Sequence, residues 1–298
     1  MKRDVFTVGL VQTSPVADPE ANIERAVELV GRAATDGARV VCLPELFRSQ
    51  YFCQNEDACS FDLAEPIPGP STNAMAAVAR RRKIIVLVPV FERRAAGLYH
   101  NSVVLIGPEG NVAGLYRKMH IPDDPGYYEK FYFTPGDLGY QAFSTEVGRI
   151  GALICWDQWY PEAARLTSLR GAEVIFYPTA IGWHPREKAA VGSAQQEAWV
   201  TIQRGHAIAN GVYVAAVNRA GLERPVGGDG IEFWGGTFLC DPFGVVIARA
   251  RSVGEEVVFG DVDLSLVEEV RRHWPFLRDR RIDSYVGLDK RFIEEQGA

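Results

Sequence analysis

The sequence predicts a single α/β domain, and three observations lead to this fold class. The chain has 298 residues, a length that one large hydrophobic core can organise. Its composition is that of an ordinary globular protein, with 47% hydrophobic and 23% charged residues. Short apolar segments alternate with amphipathic segments, and no long linker interrupts them. Such near-continuous apolar strands are typical of sheets that helices cover on at least one face.

The first half of the chain shows this alternation clearly. A strand is expected over residues 5–11, and a helix follows because Asp18 can cap it and Pro19 can occupy its first position. Apolar residues from Ile23 to Val30 recur at the spacing of one helical face. The remaining predicted elements are a strand over 40–43, a helix over 70–83, a strand over 84–90, and a hairpin of strands 101–106 and 112–116.

The second half repeats the same order of elements. It contains a strand over 150–154, a helix over 161–170, a strand over 174–177, a helix over 189–210, a strand over 212–217, and a hairpin of strands 236–240 and 245–248. Each half therefore runs strand, helix, strand, helix, strand, hairpin. This order indicates a pseudo-duplication, although sequence identity between the halves is not evident.

Charge, apolar runs and cysteine usage narrow the class of protein. The net charge is −6 and no basic run is present, so neither nucleic acid nor an anionic membrane is an expected partner. The longest apolar runs are about eight residues, against the roughly 20 that span a bilayer. An odd count of five cysteines and an N-terminus without a secretory pattern predict a cytoplasmic protein. No short histidine pair or phosphate loop occurs, so we expect no metal and no cofactor.

Three polar residues stand just beyond apolar strands, where α/β proteins tend to place active sites. They are Glu45, Lys118 and Cys155, and each alone has an ordinary structural explanation. Together they supply what thiol hydrolysis of an amide requires: a nucleophile, a base for its proton and later for water, and a cation for the oxyanion. If Cys155 lies in a strand-to-helix turn, the backbone N–H of Trp156 points at the same oxyanion.

The segments around these residues resemble the nitrilase superfamily of carbon–nitrogen hydrolases, from about residue 5 to about residue 265. The resemblance implies a four-layer αββα sandwich of two mixed sheets flanked by helices. It also implies Glu45 as general base, Lys118 as oxyanion stabiliser and Cys155 as nucleophile, with Glu129 in a supporting role. The segments that carry it are Leu43-Pro44-Glu45, Tyr116-Arg117-Lys118 and Cys155-Trp156-Asp157.

Two longer segments, 119–133 and 155–162, resemble the N-carbamoylputrescine amidase branch of this superfamily. That resemblance implies hydrolysis of a terminal ureido group through a carbamoyl-thioester, to putrescine, carbon dioxide and ammonia, a step of polyamine biosynthesis. Relatives that act on N-carbamoyl amino acids tend to carry an arginine just after the cysteine, where this chain has Gln158 and Trp159. A diamine instead needs aromatic walls and an acidic or cation–π partner for its far ammonium. The candidate aromatic walls are Tyr127, Tyr128, Phe131, Trp156, Trp159 and Trp183, and the candidate acidic partners are Asp157 and Asp124.

Two alternatives to this function stay open. One is a hydrolase of another small amide, such as a β-ureido acid or an ω-amide of a dicarboxylate. The other is a catalytically silent binding scaffold, against which the retention of all three triad residue types argues.

The domain and assembly are also predicted. Residues 1–298 are expected to form one domain with a C-terminal extension over 266–298. The resemblance implies a homo-oligomer built from dimers, in which the helices after the nucleophile strand form the dimer face and the extension contacts another subunit.

Overall fold

The computed structural model describes residues 5–225 and 228–294, so both ends of the predicted 1–298 domain lie outside the described residues. Asp18 caps the first helix by accepting a hydrogen bond from the backbone N–H of Glu20, and Pro19 is the first residue of that helix, as predicted. The elements of the first half are strand β1 (Val5–Gln12), helix α1 (Pro19–Thr35), β2 (Ala38–Cys42), α2 (Pro70–Arg82), β3 (Ile85–Ala95), β4 (Leu98–Ile106) and β5 (Val112–Arg117).

The second half contains the strands of the second six-stranded sheet, the strands of a small three-stranded sheet, a last strand that joins the first sheet, and the C-terminal helix. Its elements are α3 (Glu129–Tyr132), β6 (Ala142–Thr145), β7 (Gly148–Ala152), α4 (Pro161–Leu169), β8 (Val174–Thr179), β9 (Gly182–Trp183), α5 (Lys188–Asn210), β10 (Tyr213–Asn218), β11 (Ala220–Glu223), β12 (Ile231–Trp234), β13 (Phe238–Cys240), β14 (Val246–Arg249), β15 (Glu256–Asp263) and α6 (Leu264–His273).

Two six-stranded sheets share one strand pattern. Their orders are β15-β1-β2-β3-β4-β5 and β14-β13-β10-β8-β7-β6. In the first sheet β1, β2 and β3 are parallel, β4 and β5 continue antiparallel, and β15 is antiparallel at the other edge. In the second sheet β7, β8 and β10 are parallel, β13 and β14 continue antiparallel, and β6 is the antiparallel edge. The predicted pseudo-duplication is therefore present in the structure as two sheets with the same order of parallel and antiparallel strands.

The apolar side chains of the strands alternate between two cores, because successive residues of a strand point to opposite faces. Val40 and Cys42 pack in a core that lies between the two sheets and is continuous with the apolar contacts between the second sheet and helices α4 and α5. Val41 and Leu43 pack in the core between the first sheet and helices α1 and α2. The layers are therefore helices, sheet, sheet, helices, and the predicted αββα class is confirmed.

Strand β3 is longer than predicted. It was expected to end at residue 90, but it continues to Ala95 and forms a hairpin with β4, which was not predicted. The reason is that Glu92 is buried and is compensated: it accepts hydrogen bonds from Ser102 on β4 and from Arg117 on β5. A buried charged residue within a strand is tolerated when other strands of the sheet supply its partners.

The end of the chain divides into a packed helix and an exposed segment. Helix α6 buries Val267 and Val270, and Arg271 donates to the backbone carbonyls of Ala172 and Asn210. The following residues expose large apolar side chains, namely Trp274, Phe276, Ile282, Val286, Leu288, Phe292 and Ile293. Among the described residues, no helix has the length and hydropathy needed to cross a membrane.

Candidate active site

The fold brings together Glu45, Lys118 and Glu129, which are distant in sequence. Glu45 follows β2, Lys118 follows β5, and Glu129 begins α3. Lys118 Nζ lies 2.8 Å from Glu45 Oε1 and 2.6 Å from Glu129 Oε2, so one ammonium bridges two carboxylates. All three side chains are fully buried. Cys155, just after β7 of the other sheet, is close enough for these charges to shift the pKa of its thiol.

Neutral side chains also donate hydrogen bonds to the two carboxylates. Asn101 Nδ2 donates to Glu45 Oε1 at 2.7 Å, and Tyr51 OH donates to Glu129 Oε1 at 2.8 Å. Glu45 Oε2 is buried and makes no hydrogen bond within residues 5–225 and 228–294. An unpaired buried carboxylate oxygen is costly, and it leaves one acceptor available for a proton or a substrate N–H.

Cys155 occupies a strained turn between β7 and α4. Its φ is 42°, in the left-handed region that non-glycine residues rarely adopt, which costs about 1–3 kcal/mol. It begins a short 3-10 helix, Cys155–Trp159, and its Sγ lies 3.7 Å from the carbonyl oxygen of Ala180. Helix α5 supports this turn, because Trp199 Nε1 bonds to the Gln158 side chain at 2.8 Å. Contacts with neighbouring segments therefore stabilise this turn and offset the unfavourable backbone conformation of Cys155.

The burial of these groups sets their protonation states. Burial raises the pKa of the Cys155 thiol well above its usual value, and the charge of Glu45 raises it further, while Lys118 opposes the change. For Lys118, burial lowers the pKa, but the carboxylates of Glu129 and Glu45 outweigh it and the pKa ends well above its usual value. Burial raises the pKa of Glu129 to about 7, with Lys118 opposing and Glu45 adding to the shift. The resting site thus holds a neutral thiol beside an ammonium, and attack requires a base.

A cavity of about 460 Å³ opens at Cys155. Three of the predicted substrate-binding or oxyanion residues, Tyr127, Trp156 and Trp159, line it. Tyr127 is held in place by its hydroxyl, which donates to the carbonyl of Gly182 and accepts from the N–H of the same residue. The other lining residues are Pro122, Asp124, Pro125, Ala180, Ile181, Gly182, His184, Glu187, Gln195, Ala198 and Trp234.

Four other predicted substrate-binding residues, Tyr128, Phe131, Trp183 and Asp157, do not line the cavity. Trp183 packs against Trp234 with ring centroids 5.2 Å apart and donates to the Gly192 carbonyl, so it supports the wall from behind. Asp157 is fully buried, and both of its carboxylate oxygens already accept hydrogen bonds from neighbouring segments. The prediction of Asp157 as the acidic partner of the substrate is therefore corrected: Asp124 lines the cavity and Asp157 does not.

Sequence reasoning missed several residues of the site. Glu187 lies on the cavity wall just before α5, where an exposed glutamate has the pattern of an ordinary helix end. Asn101 and Tyr51 reach the two catalytic-site carboxylates from segments with no motif of their own. The charged side chains that line the cavity are Asp124 and Glu187, and no lysine or arginine of the described residues lines it. In the same part of the chain no cluster of three metal-ligating side chains occurs.

The chain belongs to the carbon-nitrogen hydrolase family, whose model matches residues 7–272. It is accordingly a hydrolase of carbon–nitrogen bonds other than peptide bonds. It is similar to the N-carbamoylputrescine amidase of Solanum lycopersicum, with 41% identity over 291 residues, or 96% of either chain. The citrullinase of Francisella tularensis subsp. tularensis is 35% identical over 288 residues, which cover 96% of this chain and 98% of the relative. The crystal structure of a carbon-nitrogen hydrolase from Helicobacter pylori G27 superposes with a TM-score of 0.94 at 46% identity, covering 97% of this chain and 100% of the other.

Proposed function

We propose that this protein is a thiol amidohydrolase that cleaves the terminal ureido group of N-carbamoylputrescine to putrescine, carbon dioxide and ammonia, a step of polyamine biosynthesis. One observation carries the choice of substrate: the cavity at Cys155 is lined by two carboxylates, Asp124 and Glu187, and by no lysine or arginine of the described residues. A substrate with an ammonium at its far end fits this charge, whereas a substrate that ends in a carboxylate is repelled. The similarity to N-carbamoylputrescine amidases supports the same choice.

The reaction begins with attack of Cys155 on the carbamoyl carbon. Glu45 accepts the thiol proton, because its Oε2 has no other partner among the described residues, and the sulfur forms a bond to carbon. The negative charge that develops on the carbamoyl oxygen is stabilised by the Lys118 ammonium and by the backbone N–H of Trp156. Glu129 Oε2 also accepts a hydrogen bond from this ammonium, with Lys118 Nζ 2.6 Å away.

The second half of the reaction releases the diamine first and carbamic acid second. The carbon–nitrogen bond to the diamine breaks, Glu45 returns the proton to the leaving nitrogen, and a carbamoyl-thioester stays on Cys155. Water then attacks the thioester carbon as Glu45 takes its proton, and the thiol re-forms. The carbamic acid that leaves decomposes to carbon dioxide and ammonia, so every atom of the ureido group is accounted for.

The cavity walls match the two chemical parts of the diamine. We assign Tyr127, Trp156 and Trp159 to the methylene chain, because flat aromatic surfaces bury it with little loss of side-chain entropy. Asp124 and Glu187 take the far ammonium, which the aromatic rings also favour through cation–π attraction. Trp183 lies behind the wall, where it packs against Trp234. The backbone N–H of Tyr128 donates to the Cys53 carbonyl, outside the cavity lining.

We also propose a cytoplasmic location and a homo-oligomer built from dimers. All five cysteines are free thiols, in keeping with a reducing compartment. Helix α4 exposes Leu166 and Leu169, and the C-terminal extension exposes further apolar side chains, which are surfaces that a second subunit would cover. Sedimentation velocity at micromolar concentration tests the assembly: a monomer would contradict it, and Leu166→Asp should shift the dimer toward monomer.

A second substrate candidate is citrulline, because the citrullinase relative covers almost the whole chain. Citrulline carries a ureido group and an ammonium, but its carboxylate would need a cationic partner. Among the described residues, the titratable side chains of the cavity wall are the carboxylates, His184, Cys155 and Tyr127, so citrulline should bind less well than the carboxylate-free diamine. The same reasoning disfavours β-ureido acids and ω-amides of dicarboxylates.

Ammonia release from a panel of four compounds tests the proposal: N-carbamoylputrescine, citrulline, N-carbamoyl-β-alanine and an ω-amide of a dicarboxylate. We expect the highest kcat/KM with N-carbamoylputrescine and no release by Cys155→Ala. A higher value with any of the others would reassign the substrate. A wild-type protein that releases no ammonia, and whose Cys155 is not preferentially alkylated by iodoacetamide, would be a silent scaffold. Cys59→Ala, which removes the exposed thiol, is the control for alkylation.

A further inference from the structure

Asp157 is a buried carboxylate with an unusually complete set of donors. Its Oδ2 accepts hydrogen bonds from Tyr116 OH at 2.7 Å and from the backbone N–H of Ile154 at 3.0 Å. Its Oδ1 accepts from the backbone N–H of His120 at 3.0 Å and from His120 Nδ1 at 2.7 Å. A carboxylate only accepts hydrogen bonds, so this contact places the proton of the imidazole on Nδ1.

These donors belong to the two segments that carry the reacting groups. Tyr116 and His120 lie two residues before and two residues after Lys118, while Ile154 directly precedes Cys155. One carboxylate therefore links both sides of the lysine to the start of the cysteine turn. The link also crosses between the sheets, because the lysine follows β5 of one sheet and the cysteine follows β7 of the other.

No other hydrogen bond of the described residues joins segment 116–120 to segment 154–160. The His120 ring is fixed in addition by stacking on Tyr160, with centroids 3.7 Å apart and planes inclined by 4°. Both linked segments need such support, since Lys118 lies beyond the end of its strand and Cys155 has its φ in the left-handed region.

We propose that Asp157 is a positioning residue for the hydrolysis, which sets the distance and direction between the Cys155 sulfur and the Lys118 ammonium. This inference rests on the proposed roles of Cys155 and Lys118. Because Asp157 touches neither substrate nor sulfur, its loss should act on the rate of the chemical step and not on substrate binding. A misplacement of about 1 Å can lower a rate roughly 100-fold, so the expected effect is large.

Two variants test the proposal. In Asp157→Asn, an NH₂ group replaces one carboxylate oxygen and cannot accept from the donors on that side. Tyr116→Phe removes a single hydroxyl, and in this variant Asp157 and Cys155 themselves are not substituted. The control is Asp263→Ala, which removes the carboxylate that caps α6 through the N–H of Ser265, so it lowers stability away from the site.

The measurements are kcat, KM, Tm and the rate of Cys155 alkylation by iodoacetamide, which needs no substrate. We expect kcat to fall roughly 10- to 100-fold in Asp157→Asn and several-fold in Tyr116→Phe, with KM within about twofold. Alkylation should slow at least threefold in both, and the control should lose Tm but keep both rates.

The positioning role would be overturned if kcat in both variants fell only in proportion to the fraction of folded protein. It would also be overturned if Cys155 were alkylated at the wild-type rate in Asp157→Asn and Tyr116→Phe. If wild-type Cys155 is itself not selectively alkylated, the proposed function fails instead, and the two failures are thus distinguishable.

Discussion

Replacing Glu129 by Gln should change how the free energy of unfolding depends on pH. In the folded protein, burial raises the pKa of this carboxyl from its usual 4.5 to about 7. The side chain lies between Lys118 Nζ and Tyr51 OH, so an amide of the same shape can occupy its place. The substitution removes the titration while it keeps most of the packing.

The sign follows from proton binding. Between pH 4.5 and about 7 the folded protein holds a proton on Glu129 that the unfolded chain has released, so this group stabilises the fold at low pH and its contribution is lost as the pH rises. A pKa difference of this size corresponds to about 3 kcal/mol. The free energy of unfolding of Glu129→Gln minus that of the wild type should therefore rise by about 3 kcal/mol between pH 4.5 and pH 8.

Urea unfolding, followed by the fluorescence of the six tryptophans, measures both proteins at half-unit steps of pH and at one protein concentration. The lowered pKa values of His100 and His206 also make stability depend on pH, but they are present in both proteins and cancel in the difference. Glu109→Gln, at an exposed glutamate, is the matched control and should give a flat difference. A Glu129→Gln difference that stays flat, or that falls as the pH rises, would refute the reasoning.

Three further substitutions test the site and the core. Glu187→Gln should raise KM for N-carbamoylputrescine about 5- to 30-fold with little change in kcat, because a charge-assisted contact is worth about 1–2 kcal/mol; an unchanged KM in initial-rate measurements would remove Glu187 from the binding site. Lys118→Met should lower kcat by roughly 100- to 1,000-fold, as expected for loss of an oxyanion stabiliser; single-turnover rates within tenfold of wild type would contradict that role. Leu87→Ala, in the core between the sheets, should lower the free energy of unfolding by about 2–5 kcal/mol, as measured by urea unfolding. A loss below about 1 kcal/mol would mean that neighbouring side chains fill the space left by the leucine.

The order of strands and helices was predictable because its signals are local. The Asp18 cap, the Pro19 start and the apolar runs of the parallel strands depend only on neighbouring residues, and most predicted boundaries agree with the structure within about two residues. The predictions failed where distant partners decide the outcome. Strand β3 continues past residue 90 because Arg117, on another strand, compensates Glu92. Strand β15 was missed because its pairing with β1 joins the two ends of the chain.

The candidate site shows the same division. Glu45, Lys118 and Cys155 stand just beyond strands, which made them candidates for one site. The structure pairs Lys118 with Glu45, and Cys155 lies close enough for both charges to shift the pKa of its thiol. The direction of the Asp157 side chain could not be inferred, because it depends on donors that lie 37 and 41 residues earlier in the chain. Glu187 and Tyr51 likewise reach the site from segments whose local pattern is that of a surface helix end or a loop.

With the roles proposed for Glu45, Lys118 and Cys155, the reacting groups are divided between the two repeats of the pseudo-duplication. Glu45 and Lys118 belong to the repeat around the first sheet, and Cys155 belongs to the repeat around the second. Neither repeat of the described residues would then contain all three groups, so the rate of hydrolysis depends on the relative position of the two sheets. A change that loosens the packing between the sheets should lower this rate before either repeat loses its secondary structure. The catalytic rate is therefore a more sensitive measure of the packing between the sheets than the helix or strand content.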